Sequence, residues 1–289
     1  PVIRRFRGRE FQFSEVYWAG IPREIAREGY RLEETKIWAS SIVGRLRWLE
    51  RNNPDGETHV DYPMVQQVIG EMVETIGVLE RLTSLAEKAG LGGFNLNQVL
   101  VDYVDDVQLV AEFASQRARI LACFNETLAR VDPRAEIHIV AHSEGTVVSF
   151  LGLLHALWAD EPPPWLPRVR GLMTIGSPID KHLVMWPDLF PWTTPPRYNP
   201  AAPAPGSGQE DRRIRWRNYY DYGDPVGYEL DYARLWLRAP QRAVTAFDFR
   251  GRDDQEQPPE PGSSHDIGFS RYALPGKAHN DYWSDPDVF

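Results

Sequence analysis

The sequence predicts an α/β fold, a mostly parallel sheet with helices on both faces, and three observations carry that expectation. Short β-branched or aromatic runs recur in the second half: "EIHIV", "VRGLMTIGSP", "IRWRNYYDYGDPV" and "AVTAFDF". Segments of helical periodicity lie before and between them, and strands separated by helices pair in parallel. The run at 137–141 is too short for a helix and apolar at nearly every position, which is how a strand buried on both faces reads.

The elements follow in order. Residues 11–18, "FQFSEVYW", read as a first strand of the sheet, stopped by Gly20 and Pro22. From residue 22 to 51, Ile25, Leu32, Ile37, Trp38, Ile42, Leu46 and Leu49 recur at helical steps, until "NNPDG" ends the helix. A second helix spans 63–89, with Pro63 at its start and Val65, Val68, Ile69, Met72, Ile76, Leu79 and Leu82 on one stripe. The segment 52–96 around it is read as a helical insertion, either core cover or a lid. A third helix is expected over 96–130.

After the run at 137–141, "GTVVSFLGLLHALWA" resumes as a helix. Strands follow at 169–178, 214–226 and 243–249. Residues 179–212, rich in proline and tryptophan, are expected to form a cap that exposes large apolar side chains and returns through a flexible linker; 251–264 is a second Pro/Gly-rich loop. The whole of 1–289 is read as one domain.

Composition excludes some functions. The 289 residues are 42% hydrophobic, enough for a sizeable core, and the net charge of −9 argues against a nucleic-acid partner, which needs a basic face. The one cysteine, Cys123, forms no internal disulfide, so the fold does not rely on an oxidising compartment. No window reaches the length of a membrane span. A soluble chain, with the cytoplasm favoured, is the expectation. The start at Pro1, with Arg4, Arg5, Arg7 and Arg9 crowded behind it, suggests a piece of something longer.

The chemistry concentrates in residues 136–146, "EIHIVAHSEGT". A strand that turns sharply into a helix at a serine, with small residues two positions before and after it, is a nucleophile elbow. Here Ser143 stands between Ala141 and Gly145. The turn lifts its hydroxyl above the sheet and leaves the backbone N–H of Glu144 at a helix N-terminus, ready to donate to an oxyanion. The Glu144 side chain, so close to that position, is expected to point elsewhere or to bond locally.

Serine needs a base, and the base needs an acid to orient it. Asp224 in "YDYGDPVG" lies just past a strand and before a proline, so it is the expected acid, with Asp221 as competitor. Of the histidines after the serine read on loops, His182, His265 and His279, the last, in "GKAHNDYWSD", follows the last strand and has Tyr282 and Trp283 to pack its loop down; His265 is the reserve. His138 reads as a core histidine.

These residues carry a resemblance. Over roughly 130–289, "IVAHSEGT", "LMTIGSP", "YDYGDPV" and "AHNDYW" resemble the elbow, following strand, acid turn and histidine loop of α/β-hydrolase serine hydrolases on the lipase and esterase side. The resemblance implies ester hydrolysis with neither metal nor organic cofactor; the Trp-rich cap points to a lipid-like acyl ester, with transient contact to a membrane surface. It also implies several strands before the elbow and a His-Gly loop giving a second oxyanion N–H; this sequence has one strand there and no His-Gly pair. Either residues upstream of Pro1 complete the sheet, or "WAGI" at 18–21 supplies the donor.

Substrate binding is expected from His142 and from Met185, Trp186, Phe190 and Trp192 of the cap. Lipase, esterase, thioesterase and phospholipase are not separable from residues. A catalytically inactive hydrolase-like module for binding or assembly is the alternative. Asp102, Asp105 and Asp106 read as ordinary helix-start acids rather than a metal site, and "GLGGFN" at 90–95 as a helix end rather than a phosphate loop.

Overall fold

A computed structural model describes residues 2–18, 20, 21, 44, 107, 109–204, 206–224, 226–249, 266–271, 275–286 and 288. The helices expected at 22–51 and 63–89, the segment 52–96, the acids Asp102, Asp105 and Asp106, the loop 251–264 and His265 lie outside them or nearly so.

The chain opens with a hairpin of β1 (Val2–Phe6) and β2 (Arg9–Phe13), antiparallel, with Phe6 opposite Arg9. Arg7 and Gly8 between them have φ of 47° and 77°, the two positive values that a two-residue turn needs to match the twist of the flanking strands. Arg5 faces Glu10 across the ladder at 3.3 Å, an exposed pair worth little. Every residue of β2 is exposed. The expected strand at 11–18 is therefore corrected: it ends at Phe13 and belongs to a separate two-stranded ribbon, because its pairing partner is five residues of local chain. Beyond it, Val16 and Trp18 pack against the main core.

The main sheet contains β3 (Ile137–His142), β4 (Val169–Ile175), β5 (Ile214–Asp221), β6 (Phe247–Asp248) and β7 (Asp266–Phe269). The order is β3-β4-β5-β6, with β7 also on β5, and every pairing is parallel. β6 pairs with the beginning of β5 and β7 with its end, so the two short strands share one edge. The architecture is α/β. β7 answers to no sequence signal, being four residues bordered by "PGSSH" and "SRYAL".

Side chains alternate as a pleated strand requires. Ile139, Leu172 and Trp216 are in register on one face and bury against α2 (Glu144–Trp158), α3 (Ile179–Met185) and α4 (Asp231–Arg238), with α1 (Ala114–Ala129) packed on α2. The opposite face carries His142, Ile175 and Tyr219 at its upper end, where α5 (Pro275–Asn280) and the 3-10 turn Asp281–Ser284 bring Tyr282 onto Ile175 and Tyr219. Lower on that face, His138 is exposed, Val140 is 47% exposed and Arg215 is exposed. β3 is thus buried on one side only among the described residues, which corrects both its reading as doubly buried and the reading of His138 as a core histidine.

The third helix, expected over 96–130, is broken before Ala114. Arg117 Nη1 donates to the carbonyls of Val110 and Ala111 at 2.8 and 3.2 Å, satisfying groups that the break leaves without helical partners. No helix among the described residues is long and apolar enough to cross a membrane.

Segment 179–212 does not expose its apolar side chains. Met185 is fully buried, Leu183 and Phe190 nearly so, and Trp186 and Trp192 pack partly buried on the same core. Phe190 meets Phe150 and Trp236 at 6.0 and 5.9 Å between ring centres, and Trp192 meets Trp158 at 5.5 Å. α2 is buried on nearly every side, and the segment supplies the apolar surface that covers it.

Candidate active site

β3 passes directly into α2, and Ser143 is the single residue between them. Its φ of 53° and ψ of −133° lie in a region that L-residues rarely occupy, and it is one of three non-glycine residues with positive φ among those described. Three bonds hold this conformation. Ser143 N–H donates to Ile175 O at 3.0 Å, while its carbonyl accepts Thr146 N–H at 2.9 Å and Thr146 Oγ1 at 2.7 Å. The Ser143 side chain makes no cap bond to its own helix, so its hydroxyl is left for another partner.

That partner is His279. Its Nε2 lies 2.9 Å from Ser143 Oγ, across 136 residues of sequence. Its Nδ1 lies 3.0 Å from both Oδ1 and Oδ2 of Asp224. Because Asp224 accepts from Nδ1–H, Nε2 carries the lone pair that faces the serine hydroxyl. Asp224 is fully buried; Val226 N–H donates to Oδ1 at 2.8 Å and Tyr282 Oη to Oδ2 at 2.7 Å. Burial pushes this carboxyl up, but the charge and hydrogen bond of His279, with the Tyr282 and Val226 donors, outweigh it and hold the group below the usual carboxylate range.

Asp221, the competitor, is turned away. Its two oxygens accept backbone N–H groups of Gly223 and Arg271 at 2.7 and 3.0 Å, so it shapes the turn into Asp224.

His142, expected to touch substrate, clamps the histidine loop. Its Nε2 donates to His279 O at 2.7 Å and its ring lies 4.7 Å from the His279 ring. Burial first, then the neighbouring His279, lower its pKa to about 4. His142 and Gly145 also line a cavity of about 530 Å3 with Val16, Trp18, Val148 and Trp283, so the elbow has open space beside it. A Cβ on Gly145 meets nothing within 4 Å, and close packing at this position is not what the glycine provides. A larger cavity, about 620 Å3, lies on the open sheet face among Arg170, Arg213, Arg215 and Arg217, away from all three catalytic candidates.

Of the cap residues expected to touch substrate, Met185 and Phe190 are buried in the core and Trp186 and Trp192 pack partly buried against it, so the segment does not present the open apolar surface expected of it. Glu144 is 2% exposed, and its Oε1 lies 3.2 Å from Nε2 of the equally buried His182, but the approach lacks hydrogen-bond geometry and neither carboxylate oxygen has a hydrogen-bond partner among the described residues. His182 Nδ1 donates to Pro178 O at 3.1 Å, within the start of α3. The Glu144 backbone N–H, at the first position of α2, points out of the helix start. Among the described residues no group of His, Cys, Asp and Glu side chains could hold a metal ion.

Gly176 and Gly227 are the residues that sequence reasoning missed. Gly176 has φ of 55°, and a Cβ there would lie 2.8 Å from Asp224 Oδ2 and 2.9 Å from Tyr282; a Cβ on Gly227 would lie 2.3 Å from the Gly176 backbone. The glycines in "TIGSP" and "DPVG" at two strand ends were the available signal. No known protein family, curated protein or solved structure matches the chain.

Proposed function

We propose that the protein is a serine carboxyl-ester hydrolase of the α/β-hydrolase type. The observation that supports it most strongly is the relay of Ser143 Oγ, His279 and Asp224 at 2.9 and 3.0 Å, mounted on a strand-to-helix turn with the serine at positive φ. A half-buried serine is met here by a buried histidine and a buried carboxylate from segments 136 and 81 residues away.

In this reading, Ser143 Oγ attacks the ester carbonyl while His279 Nε2 takes its proton, and the negative oxygen that develops is held by the Glu144 N–H. Collapse breaks the bond to the alcohol, which leaves with the proton from His279, and an acyl-serine remains. Water, deprotonated by His279, then releases the acid. Asp224 keeps the imidazole in the required tautomer and stabilises its charged form. The cavity lined by Val16, Trp18, Val148 and Trp283 accepts the apolar part of the ester.

A fluorophosphonate probe tests the chemistry without knowledge of the substrate. Labelling of the folded protein that disappears in Ser143→Ala is the expected result. Absence of labelling on the parent protein would leave the reading of an inactive binding or assembly module. Rates on p-nitrophenyl esters of rising chain length then define the acyl group.

A further inference from the structure

Tyr282 carries a hydroxyl that the mechanism above does not use. It lies three residues after His279, in the turn Asp281–Ser284, and its side chain is fully buried. Its Oη accepts the Asp221 N–H at 2.8 Å and donates to Asp224 Oδ2 at 2.7 Å. Because the amide arrives as a donor, the phenol proton is directed to the carboxylate. Burial, and after it the charge of Asp224, keep the phenol neutral by raising its pKa well above the usual range.

The carboxylate is gripped at both ends. Val226 N–H holds Oδ1 and Tyr282 holds Oδ2, so rotation about the bond to the carboxyl group breaks one of them, and the face left open is the one toward His279 Nδ1. Gly176 passes so close to Asp224, Tyr282 and His279 that a single methyl there would meet all three, at 2.8, 2.9 and 3.4 Å. We propose that Tyr282 is a positioning residue of this triad, fixing the plane of Asp224 and drawing part of its negative charge away from His279. This role rests on the hydrolase reading and deepens it.

Among the described residues, the other titratable groups packed against Asp224 and Tyr282 are His142 on β3, held neutral, Tyr219 on β5, and Asp221 at the end of β5, bonded to backbone. The bonds to the Asp224 carboxylate come instead from Val226 N–H, His279 and Tyr282. Removing the phenol therefore returns charge to Asp224, with no substitute donor in place among the described residues, and the carboxylate attracts a proton on His279 more strongly.

The test is the rate of fluorophosphonate labelling of Ser143 from roughly pH 5 to 9 in the parent and in Tyr282→Phe, with melting temperatures of both. The expected result is labelling slowed about tenfold at neutral to mildly alkaline pH, together with an acid limb displaced to higher pH. A structural role alone lowers the melting temperature and leaves that limb in place. Rates within twofold of the parent with an unmoved limb overturn the proposal while the hydrolase reading stands; a parent that is not labelled at all overturns both. If Tyr282→Phe does not fold, 3-fluorotyrosine at position 282 replaces it. That stronger donor must move the limb to lower pH, and no movement overturns the proposal.

Discussion

Two buried corners of this molecule are held by different forces. Around Asp224 the contacts are directional: Ser143, His279, Tyr282, His142 and the Val226 amide are joined by bonds of 2.7 to 3.0 Å, with Gly176 and Gly227 giving them room. Around Phe150 the contacts are apolar: Phe190, Trp216, Trp236 and Phe247 surround it with ring centres 5.3 to 6.5 Å away. Polar contacts of the first kind add little net stability, because the unfolded chain makes equivalent bonds to water, but they define the position of each atom. Apolar contacts of the second kind supply stability and define position only through shape. Chemistry and stability should therefore separate on mutation.

The largest effect expected is at Asp224. Asp224→Asn should fold and melt close to the parent, yet lose about 10^4 in kcat/KM, because the amide cannot keep His279 in the right tautomer. Asp221→Asn serves as its control and should retain activity within about tenfold, since its oxygens serve backbone amides. A dead Asp221→Asn beside an active Asp224→Asn would reverse the assignment.

Phe190→Ala should do the opposite. Removing a ring that is only 5% exposed from the aromatic cluster should cost about 3–5 kcal/mol and lower the melting temperature by roughly 10 °C, with Ser143 labelling per folded molecule unchanged. Selective loss of long-chain esters at an unchanged melting temperature would restore the segment 179–192 as a substrate surface and blur the distinction between the corners.

The smallest effect sharpens the boundary, since His142 belongs to the polar corner and is also partly buried. Its folded pKa of about 4 lies below the ordinary 6.5, so between those values the unfolded chain binds a proton that the folded one refuses. Stability from this residue is present above pH 6.5 and is lost as pH falls through about 4, by up to about 3 kcal/mol. Chemical denaturation at pH 7 and at about pH 4.5 should show the parent losing more than His142→Gln, whose amide can still donate to His279 O. Equal losses in the two proteins would mean that His142 titrates normally in the fold.

The local elements of this chain were legible because local physics makes them. Apolar "IHIVA" gave β3, the apolar run after Ser143 gave α2, and the serine between two small residues marked the turn that joins them. Asp224 and His279 were also legible as candidates, from loop position and chain order, and the structure brings both to Ser143. The errors have a common cause. Strand-like composition at 11–18 and apolar composition at 183–192 state what a segment needs, pairing or burial, but not which surface provides it. The first found its partner in its own hairpin and the second in α2.

The sequence by itself determined the alternation of strands and helices after residue 130, the position of Ser143 at the turn from strand to helix, and the net charge of −9. Each depends on residue types and spacings within one element. Tertiary structure decided which face of β3 is covered, that Glu144 is buried beside His182, that His142 holds the histidine loop, and that the Tyr282 hydroxyl ends on Asp224. Those outcomes join residues 38 to 137 positions apart, and a hydrogen bond or van der Waals contact discriminates over a few ångströms, a distance that only the folded chain specifies.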